Sequence, residues 1–285
     1  MQPVRQRSAL ACLFLVGMGL SPGDISRGAL QVVARCSRVF CETYTSLIPG
    51  LEPASLADLF AIRVELLKRE QVEDGSLIVD ALSDGDVALL VPGDPMISTT
   101  HISLRVQAAR AGHTSRVVHS SSILSAAIGE SCLLATRFGR MGTISFLPSQ
   151  QPYDVLRDNR ARGLHTLFLL DVDFERGRHM SIGQALQFLL AIEEKRSLGL
   201  IGRNTLAVGL ARVSSADQVV RAGRVRDLLE LDFGPPPHCL IVPGKLHFAE
   251  SDALEVLLGR PVRRSRGAEK IYKVFSGGSG FGPVA

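Results

Sequence analysis

A strand, a tight turn and a helix follow one another over residues 87–111, and this succession constrains the fold more than any other feature. Residues 87–91 form an uninterrupted apolar run (Val-Ala-Leu-Leu-Val), which predicts a parallel strand buried on both faces. In the Pro-Gly-Asp-Pro turn at 92–95 the prolines stiffen the backbone, the glycine permits close approach, and Asp94 has no evident core role. The Ser-Thr-Thr hydroxyls at 98–100 are suited to capping a helix over 102–111. Ligands bind beyond the carboxyl ends of strands in open α/β sheets, so the turn is a candidate binding loop, although these residues are also common in ordinary turns.

A second glycine-rich loop follows an apolar run at 13–16. Its sequence, Gly-Met-Gly-Leu-Ser-Pro-Gly at 17–23, leads into a predicted helix at 25–35. The loop superficially matches a dinucleotide-binding fingerprint, but the glycine spacing is Gly-x-Gly-x-x-x-Gly, and Pro22 stands where the fingerprint helix should already be running. The spacing therefore argues against a nicotinamide cofactor.

Strand-like and helix-like segments alternate along the chain. The predicted strands lie at 13–16, 38–41, 63–67, 87–91, 115–119, 142–147, 166–172, 205–212 and 239–242. The predicted helices lie at 25–35, 54–60, 72–82, 102–111, 153–162, 182–195, 225–231 and 251–258. A capping box of Ser181 and Gln184 marks the start of the 182–195 helix. Such alternation predicts an α/β fold with mostly parallel strands and helices on both faces.

The length of 285 residues is sufficient for two domains with separate cores. We predict an N-terminal α/β domain at 9–121, which carries both glycine loops, and a C-terminal α/β domain at 122–260. The segment 261–285 is basic and then glycine-rich, and its composition predicts a flexible tail, of which residues 267–285 are expected to be dispensable for methyl transfer. No polar linker separates the two domains near 120–125, so we expect tight packing with a ligand cleft between them.

Charge and cysteine content exclude several classes of partner. The net charge of +4 is modest and the basic residues are dispersed, which argues against a nucleic-acid binder. The five cysteines are scattered without a Cys-x-x-Cys pair, so we expect no metal site and a reducing cytoplasm. The apolar run near the start continues into a glycine loop rather than a cleavage site, and no run is long enough for a membrane span.

Taken together, these loops and their flanks resemble the diphthine synthases, which belong to the tetrapyrrole-methylase-like class of S-adenosylmethionine (SAM) methyltransferases. The matching segments occur in family order and at family-like spacing over most of the chain. They are Phe-Leu-Val-Gly-Met-Gly-Leu at 14–20, Glu-Thr-Tyr-Thr-Ser at 42–46, the stretch 91–101, His-Ser-Ser-Ser-Ile at 119–123, Tyr-Asp-Val at 153–155, Arg-Gly-Leu-His-Thr-Leu at 162–167, Asp-Phe-Gly-Pro-Pro-Pro-His at 232–238 and Val-Pro-Gly-Lys-Leu-His-Phe at 242–248. The two glycine loops are shared by the wider class. Glu-x-Tyr-Thr-Ser, Arg-Gly-Leu-His-Thr and Pro-Pro-His point to diphthine synthases.

The resemblance implies two α/β domains of the tetrapyrrole methylase type (class III SAM methyltransferases) with the ligand cleft between them. It implies SAM as the methyl donor, bound by Leu20, Asp94, Ile97, Ser122, Ile123, Leu170, Val213 and His238. It also implies a homodimeric cytoplasmic enzyme that acts on translation elongation factor 2 in diphthamide biosynthesis. The acceptor would be the amino group of the aminocarboxypropyl extension on one modified histidine of that factor. No catalytic base is identified, because methyl transfer from a sulfonium depends mainly on positioning.

The residues leave simpler and rival interpretations open. Four of the positions could be plain core residues (Leu20, Ile97, Ile123 and Leu170), Ser122 could cap the next helix, and His238 could only satisfy a backbone carbonyl. The enzymatic rival is a methyltransferase for a corrinoid or other tetrapyrrole precursor, and the other rival is a non-catalytic SAM-binding module.

Two segments depart from the family pattern. Residues 211–215 read Ala-Arg-Val-Ser-Ser where family members commonly have Ala-Arg-Ala-Gly-Ser, so Val213 brings a larger side chain and a glycine is lost after it. Residues 147–152 look shorter than the aromatic-containing loop of the family. We therefore expect changes in one wall of the pocket and in substrate contacts.

Overall fold

The computed structural model describes residues 10–173 and 176–258, and the predicted tail at 261–285 lies outside them. The first sheet has the strand order β3-β2-β4-β1-β5, and all its neighbouring strands are parallel. Its strands are β1 Cys12–Gly17, β2 Arg38–Glu42, β3 Val64–Leu67, β4 Val87–Val91 and β5 Thr114–Val118. The helices between them are α1 Arg27–Val33, α2 Leu56–Phe60, α3 Arg69–Asp74, α4 Ser76–Asp80 and α5 Ile102–Arg110. This half agrees with the predicted strands and with their parallel arrangement.

The central strands of the first sheet, β2, β4 and β1, are buried on both faces, as their apolar sequences require, whereas the edge strands β3 and β5 are partly exposed. Along β1, Leu13 and Leu15 pack into one apolar cluster, while Phe14 and Val16 pack into another on the opposite face. All five residues of β4 are buried. Because both faces of these central strands are covered, we expect a ligand to reach them through the loops at the carboxyl edge of the sheet.

The prediction of one continuous helix over 72–82 is wrong, because the structure divides this segment into separate short helices. Gly75 ends α3 in a left-handed conformation (φ +76°) and immediately precedes α4, and a short 3₁₀ helix, Ala81–Asp84, follows. The first turn begins earlier than predicted, so Arg69 becomes the first residue of a helix.

The hydroxyls at 98–100 do not cap α5, contrary to expectation. The residue that precedes α5 is His101, whose side chain makes no cap hydrogen bond. The Thr99 hydroxyl instead donates to the Pro95 carbonyl at 2.6 Å, which places it inside the preceding turn.

The second sheet has the order β11-β10-β12-β7-β6 and is mixed, whereas alternation alone predicts mostly parallel strands. The β6–β7 pair is parallel and the other three pairs are antiparallel. Its strands are β6 Gly142–Ile144, β7 Thr166–Leu170, β10 Leu206–Ala211, β11 Val219–Arg224 and β12 His238–Val242, and a separate two-stranded ribbon contains β8 Val172–Asp173 and β9 Arg178–His179. The helices are α6 Ile123–Glu130, α7 Gln151–Ala161, α8 Ile182–Arg196, α9 Val225–Leu228 and α10 Phe248–Leu257.

The capping box predicted for α8 is confirmed. The Gln184 amide donates to Ser181 Oγ at 3.1 Å, and the Ser181 amide donates to Gln184 Oε1 at 2.9 Å. Over the part of the chain that the structure describes, no helix combines the length and apolar character needed to cross a membrane.

Candidate functional site

The two glycine loops are bonded to each other at the carboxyl edge of the first sheet. The Gly93 amide donates to the Gly19 carbonyl at 2.8 Å, and the Gly19 amide donates to the Gly93 carbonyl at 3.2 Å. Both residues have left-handed backbones, with φ of +79° at Gly19 and +72° at Gly93, which glycine adopts without steric cost. A β-carbon on Gly17 would lie 2.7 Å from the Gly93 carbonyl oxygen. The loops after β1 and β4 therefore form a single unit.

The carboxylate of Asp94 is a structural hub rather than a free group on an exposed turn. It is only 7% exposed. One oxygen accepts from the Met96 amide at 2.9 Å, and the other accepts from His119 Nδ1 at 2.7 Å and from the Ser120 amide at 3.3 Å. The expectation that Asp94 has no core role is wrong, because its bonds join the turn after β4 to the loop after β5.

Leu20 and Ser122 each take part in a local hydrogen bond between a backbone amide and a side-chain oxygen. The Leu20 amide donates to Asp24 Oδ2 at 2.9 Å, which ties the first glycine loop to the short turn of helix that contains Asp24. Ser122 precedes α6, and its hydroxyl oxygen accepts from the Leu124 amide at 3.1 Å. The helix-cap role considered for Ser122 is therefore confirmed. Capping the helix does not prevent Ser122 from also lining the cleft.

A buried ion pair supports the Pro-Gly-Asp-Pro turn from behind. His101 Nε2 lies 3.0 Å from Glu42 Oε2, and its Nδ1 lies 2.9 Å from the Pro95 carbonyl oxygen. Both side chains are almost fully buried. Burial by itself disfavours the imidazolium, but the hydrogen bond and charge of Glu42 outweigh it and raise the pKa of His101. When the ring is protonated, both of its nitrogens act as donors, one to the Pro95 carbonyl and one to the Glu42 carboxylate, and Thr45 also bonds to the same carboxylate.

The second sheet contributes the loop that follows β10. Val213 is buried, and Ser214 has a left-handed backbone with φ of +72° at the position where family members commonly have glycine. The neighbouring Arg212 is buried, and its guanidinium donates to Asp217 Oδ2 at 2.6 Å and to the Phe233 carbonyl at 2.8 Å. Arg212 therefore connects the segment at 211–215, which differs from the family pattern, to the proline-rich segment before His238.

His238 is a neutral ring with one unused acceptor. Its Nε2 donates to the Gly234 carbonyl at 3.1 Å, whereas its Nδ1 is buried without a hydrogen-bond partner among the described residues. Burial is the largest influence and lowers the pKa of His238, so the ring is uncharged at pH 7. The carbonyl contact considered for His238 is therefore present, and the remaining nitrogen is an acceptor that a ligand N–H could satisfy.

All the sequence-predicted positions line one cavity of about 300 Å³ between the two sheets. They are Leu20, Asp94, Ile97, Ser122, Ile123, Leu170, Val213 and His238. The cavity is also lined by polar residues to which the sequence reading assigned no role, namely Tyr44, Thr45, Ser46, Arg69, Glu73, Thr143 and Asp171. The Glu-Thr-Tyr-Thr-Ser motif was the available signal for the first three, whereas no motif marked Arg69 or Asp171.

The charges in this cleft are mostly negative. Glu73, Asp94 and Asp171 line it, and Arg69 is the only lysine or arginine among its described lining residues. One Asp171 oxygen accepts from the Phe146 amide at 3.0 Å. Apolar walls with carboxylates at their edges suit a ligand that combines a flat apolar part with positive charge.

Comparison with known proteins gives the class first. The family model described as Tetrapyrrole (Corrin/Porphyrin) Methylases matches residues 12–229, a range that includes both glycine loops and the loop after β10. The cleft between two α/β halves therefore belongs to a protein of the tetrapyrrole methylase class, and the predicted fold class is confirmed.

Individual relatives narrow this class. The diphthine synthase of Methanothermobacter thermautotrophicus is 40% identical over 254 residues, covering 87% of this chain and 96% of the relative. The diphthine synthase of Methanosarcina mazei is 41% identical over 259 residues, covering 87% of this chain and 97% of the relative. A crystal structure of diphthine synthase matches with a TM-score of 0.80 and 35% identity, covering 88% of this chain and 97% of that one. The chain belongs to the diphthine synthase family and is a SAM-dependent methyltransferase of diphthamide biosynthesis.

Proposed function

We propose that the cleft binds SAM and that the chain transfers its methyl group to the amino group of the modified histidine of translation elongation factor 2. The convergence of all the predicted binding positions on one cavity carries this proposal. These positions are far apart in sequence and come from loops of both sheets. Family membership supports the reaction class, and the cleft supports the location.

The residues present fit SAM chemically. The apolar side chains of Ile97, Leu170 and Val213 offer a surface for the adenine ring. The unused acceptor on His238 matches an N–H donor such as the adenine amine. Asp171 supplies negative charge for a sulfonium or an ammonium group. A cavity of about 300 Å³ lies at the lower end of the range of about 300–1,000 Å³ typical of small-molecule sites.

SAM would supply a carbon already activated for displacement. As the acceptor nitrogen forms its bond to the methyl carbon, the carbon–sulfur bond breaks and its electron pair remains on sulfur. The nitrogen must be neutral when it attacks, and its proton passes to water or to a nearby carboxylate. The chain's contribution is to hold both reactants in line, which can supply roughly 7–11 kcal/mol of the barrier. The bonded loops around Gly19, Gly93 and Asp94 provide the rigid wall that this positioning needs.

Three measurements test the proposal. Calorimetry should detect binding of SAM and of its demethylated product, and thermal stability should rise with ligand by mass action. Mass spectrometry should show added methyl groups on elongation factor 2 that carries the aminocarboxypropyl group, and none on factor without it. The unmodified imidazole would stop short of the sulfonium and lose near-attack geometry. Methylation of a corrinoid precursor without mass gain on the factor would favour the tetrapyrrole alternative, and SAM binding without any transfer would favour the non-catalytic module.

A homodimeric assembly and a cytoplasmic location complete the proposal. Ile102 and Val106, one turn apart on α5, are 55% and 43% exposed and offer apolar surface that a second copy could cover. The acceptor factor works in translation, so the enzyme must meet it in the cytoplasm. Light scattering that gives the mass of one chain at micromolar concentration would contradict the dimer.

A further inference from the structure

Arg69 is a cation at the cleft that lacks a strong partner. It lies 5.0 Å from the centre of the Tyr44 ring, measured at its guanidinium carbon. Among the described residues, its only ion pair is a loose 3.9 Å contact with Glu73, and its guanidinium makes no hydrogen bond to any of them. A guanidinium held against an aromatic ring keeps its in-plane N–H groups free, so Arg69 offers an unused fork of donors.

The strand order places Arg69 at the opposite end of the cleft from the predicted SAM positions of the first sheet. Leu20 follows β1, Asp94 follows β4 and Ser122 follows β5, and these three strands are neighbours in the order β4-β1-β5. Tyr44 and Arg69 follow β2 and β3, on the other side of β4. Strands lie about 4.8 Å apart, so the end of β3 is roughly 10 Å from the end of β4. The cleft therefore has two ends with different residues.

The end of the cleft at which Arg69 lies suits the chemistry of the acceptor. An aminocarboxypropyl group carries its amine and its carboxylate on the same carbon atom. A guanidinium fork binds a carboxylate through two parallel hydrogen bonds, which fixes direction as well as position. Once the carboxylate is held, the neighbouring amine is confined to a small region. Because methylation leaves the carboxylate unchanged, the same contact serves each successive transfer.

We propose that Arg69 binds the carboxylate of the acceptor's aminocarboxypropyl group and thereby aims its amine into the cleft. The inference rests on the proposed function, since the acceptor is defined there. SAM also carries an amino-acid carboxylate that a guanidinium could bind. Because Arg69 lies at the end of the cleft away from the predicted SAM positions of the first sheet, we assign it to the carboxylate of the acceptor.

The test separates the two substrates. We would measure the KM for modified elongation factor 2 and, by calorimetry, the Kd for SAM in Arg69→Ala, Arg69→Lys and Arg110→Ala. Arg110 is an exposed arginine in the last turn of α5 that does not line the cleft, and it controls for the loss of one positive charge. Arg69→Ala should raise the acceptor KM by about 10-fold to 100-fold, as loss of a charge-assisted pair predicts, and leave the Kd for SAM within about threefold. Arg69→Lys should restore only part of the loss, because lysine keeps the charge without the fork.

Thermal unfolding of every variant confirms that each is folded. A raised Kd for SAM with an unchanged acceptor KM would assign Arg69 to the donor carboxylate and overturn the inference. Unchanged values for both substrates, or an equal effect of Arg110→Ala, would also overturn it. If the wild-type chain transfers no methyl group to the modified factor, the proposed function fails and the inference falls with it. Failure of Arg69 alone is recognised by an active wild type.

Discussion

Replacing Asp94 by alanine separates the structural and ligand-facing roles of the Pro-Gly-Asp-Pro turn. The substitution leaves the Met96 and Ser120 amides without their acceptor and removes the contact with His119. A hydrogen bond to a charged group contributes about 1.5–3 kcal/mol. The Met96 bond at 2.9 Å counts in full, the Ser120 bond at 3.3 Å is long, and the His119 side chain is 70% exposed and therefore screened. We expect the free energy of unfolding to fall by roughly 2–4 kcal/mol.

Urea denaturation without ligand measures this loss, and two variants calibrate it. Asp94→Asn keeps an oxygen for the Met96 amide and should lose less. His119→Ala removes one screened contact, which is worth about 1 kcal/mol or less. Calorimetry on folded Asp94→Ala should show SAM affinity reduced at least tenfold, because the loops that carry Ile97 and Ser122 lose their connection. A variant within about 0.5 kcal/mol of wild type, the scatter of neutral surface changes, would refute the structural argument. Normal SAM affinity despite lost stability would refute the link to binding.

Three further substitutions test other parts of the site. The pKa of His101 is raised, so the pair with Glu42 contributes its full stability to the fold below about pH 6.5, and this stability is lost as pH rises through the raised pKa. The difference in unfolding free energy between wild type and His101→Asn should therefore shrink as pH rises from about 6.5 through that pKa. Ser214→Gly should stabilise by about 0.5–1 kcal/mol in urea denaturation by relieving a φ of +72°, and Ser214→Ala should not. Gly17→Ala should cost about 1–3 kcal/mol because its β-carbon meets the Gly93 carbonyl, whereas Gly23→Ala, with 3.9 Å to its nearest neighbour, should be neutral in the same assay.

The parts of the fold that could be predicted are those with a strong local pattern. The strands at 13–16 and 87–91 are continuous apolar runs, and a strand buried on both faces requires such a run. The capping box of α8 is a similarly local signal. β11 was missed because its sequence, Val-Val-Arg-Ala-Gly-Arg, is neither a continuous apolar run nor a regular alternation of apolar and polar residues. Among the described strands it pairs only with β10, and Val220 is its one buried residue, so it does not need a continuous apolar run. The direction of the strands in the second sheet depends on chain connections that periodicity does not encode.

The candidate site, like the fold, could be predicted from the sequence only in part. Family-like motifs identified residues that meet in the cleft, but they did not reveal what the side chains do there. The burial of Asp94 arises from partners in the loop after β5, 25 and 26 residues further along the chain. The contact between Glu42 and His101 spans 59 residues. Arg69 belongs to no motif. It lies at one end of the cleft because it follows β3, which is an edge strand of the first sheet. Each of these roles depends on tertiary contacts, which local sequence patterns do not specify.

The buried pair behind the turn gives these separate loops a common support. Glu42 ends β2, and its carboxylate bonds both to Thr45, in the loop near Arg69, and to His101. The other nitrogen of His101 bonds to the Pro95 carbonyl in the turn that carries Asp94. A carboxylate and an imidazolium are costly to bury unless both are fully hydrogen-bonded, so neither loop can shift without leaving a buried charge unsatisfied. Under the proposed assignment of the cleft's two ends, this pair keeps the acceptor end and the donor end at a fixed separation. In-line transfer between two bound reactants requires that constraint.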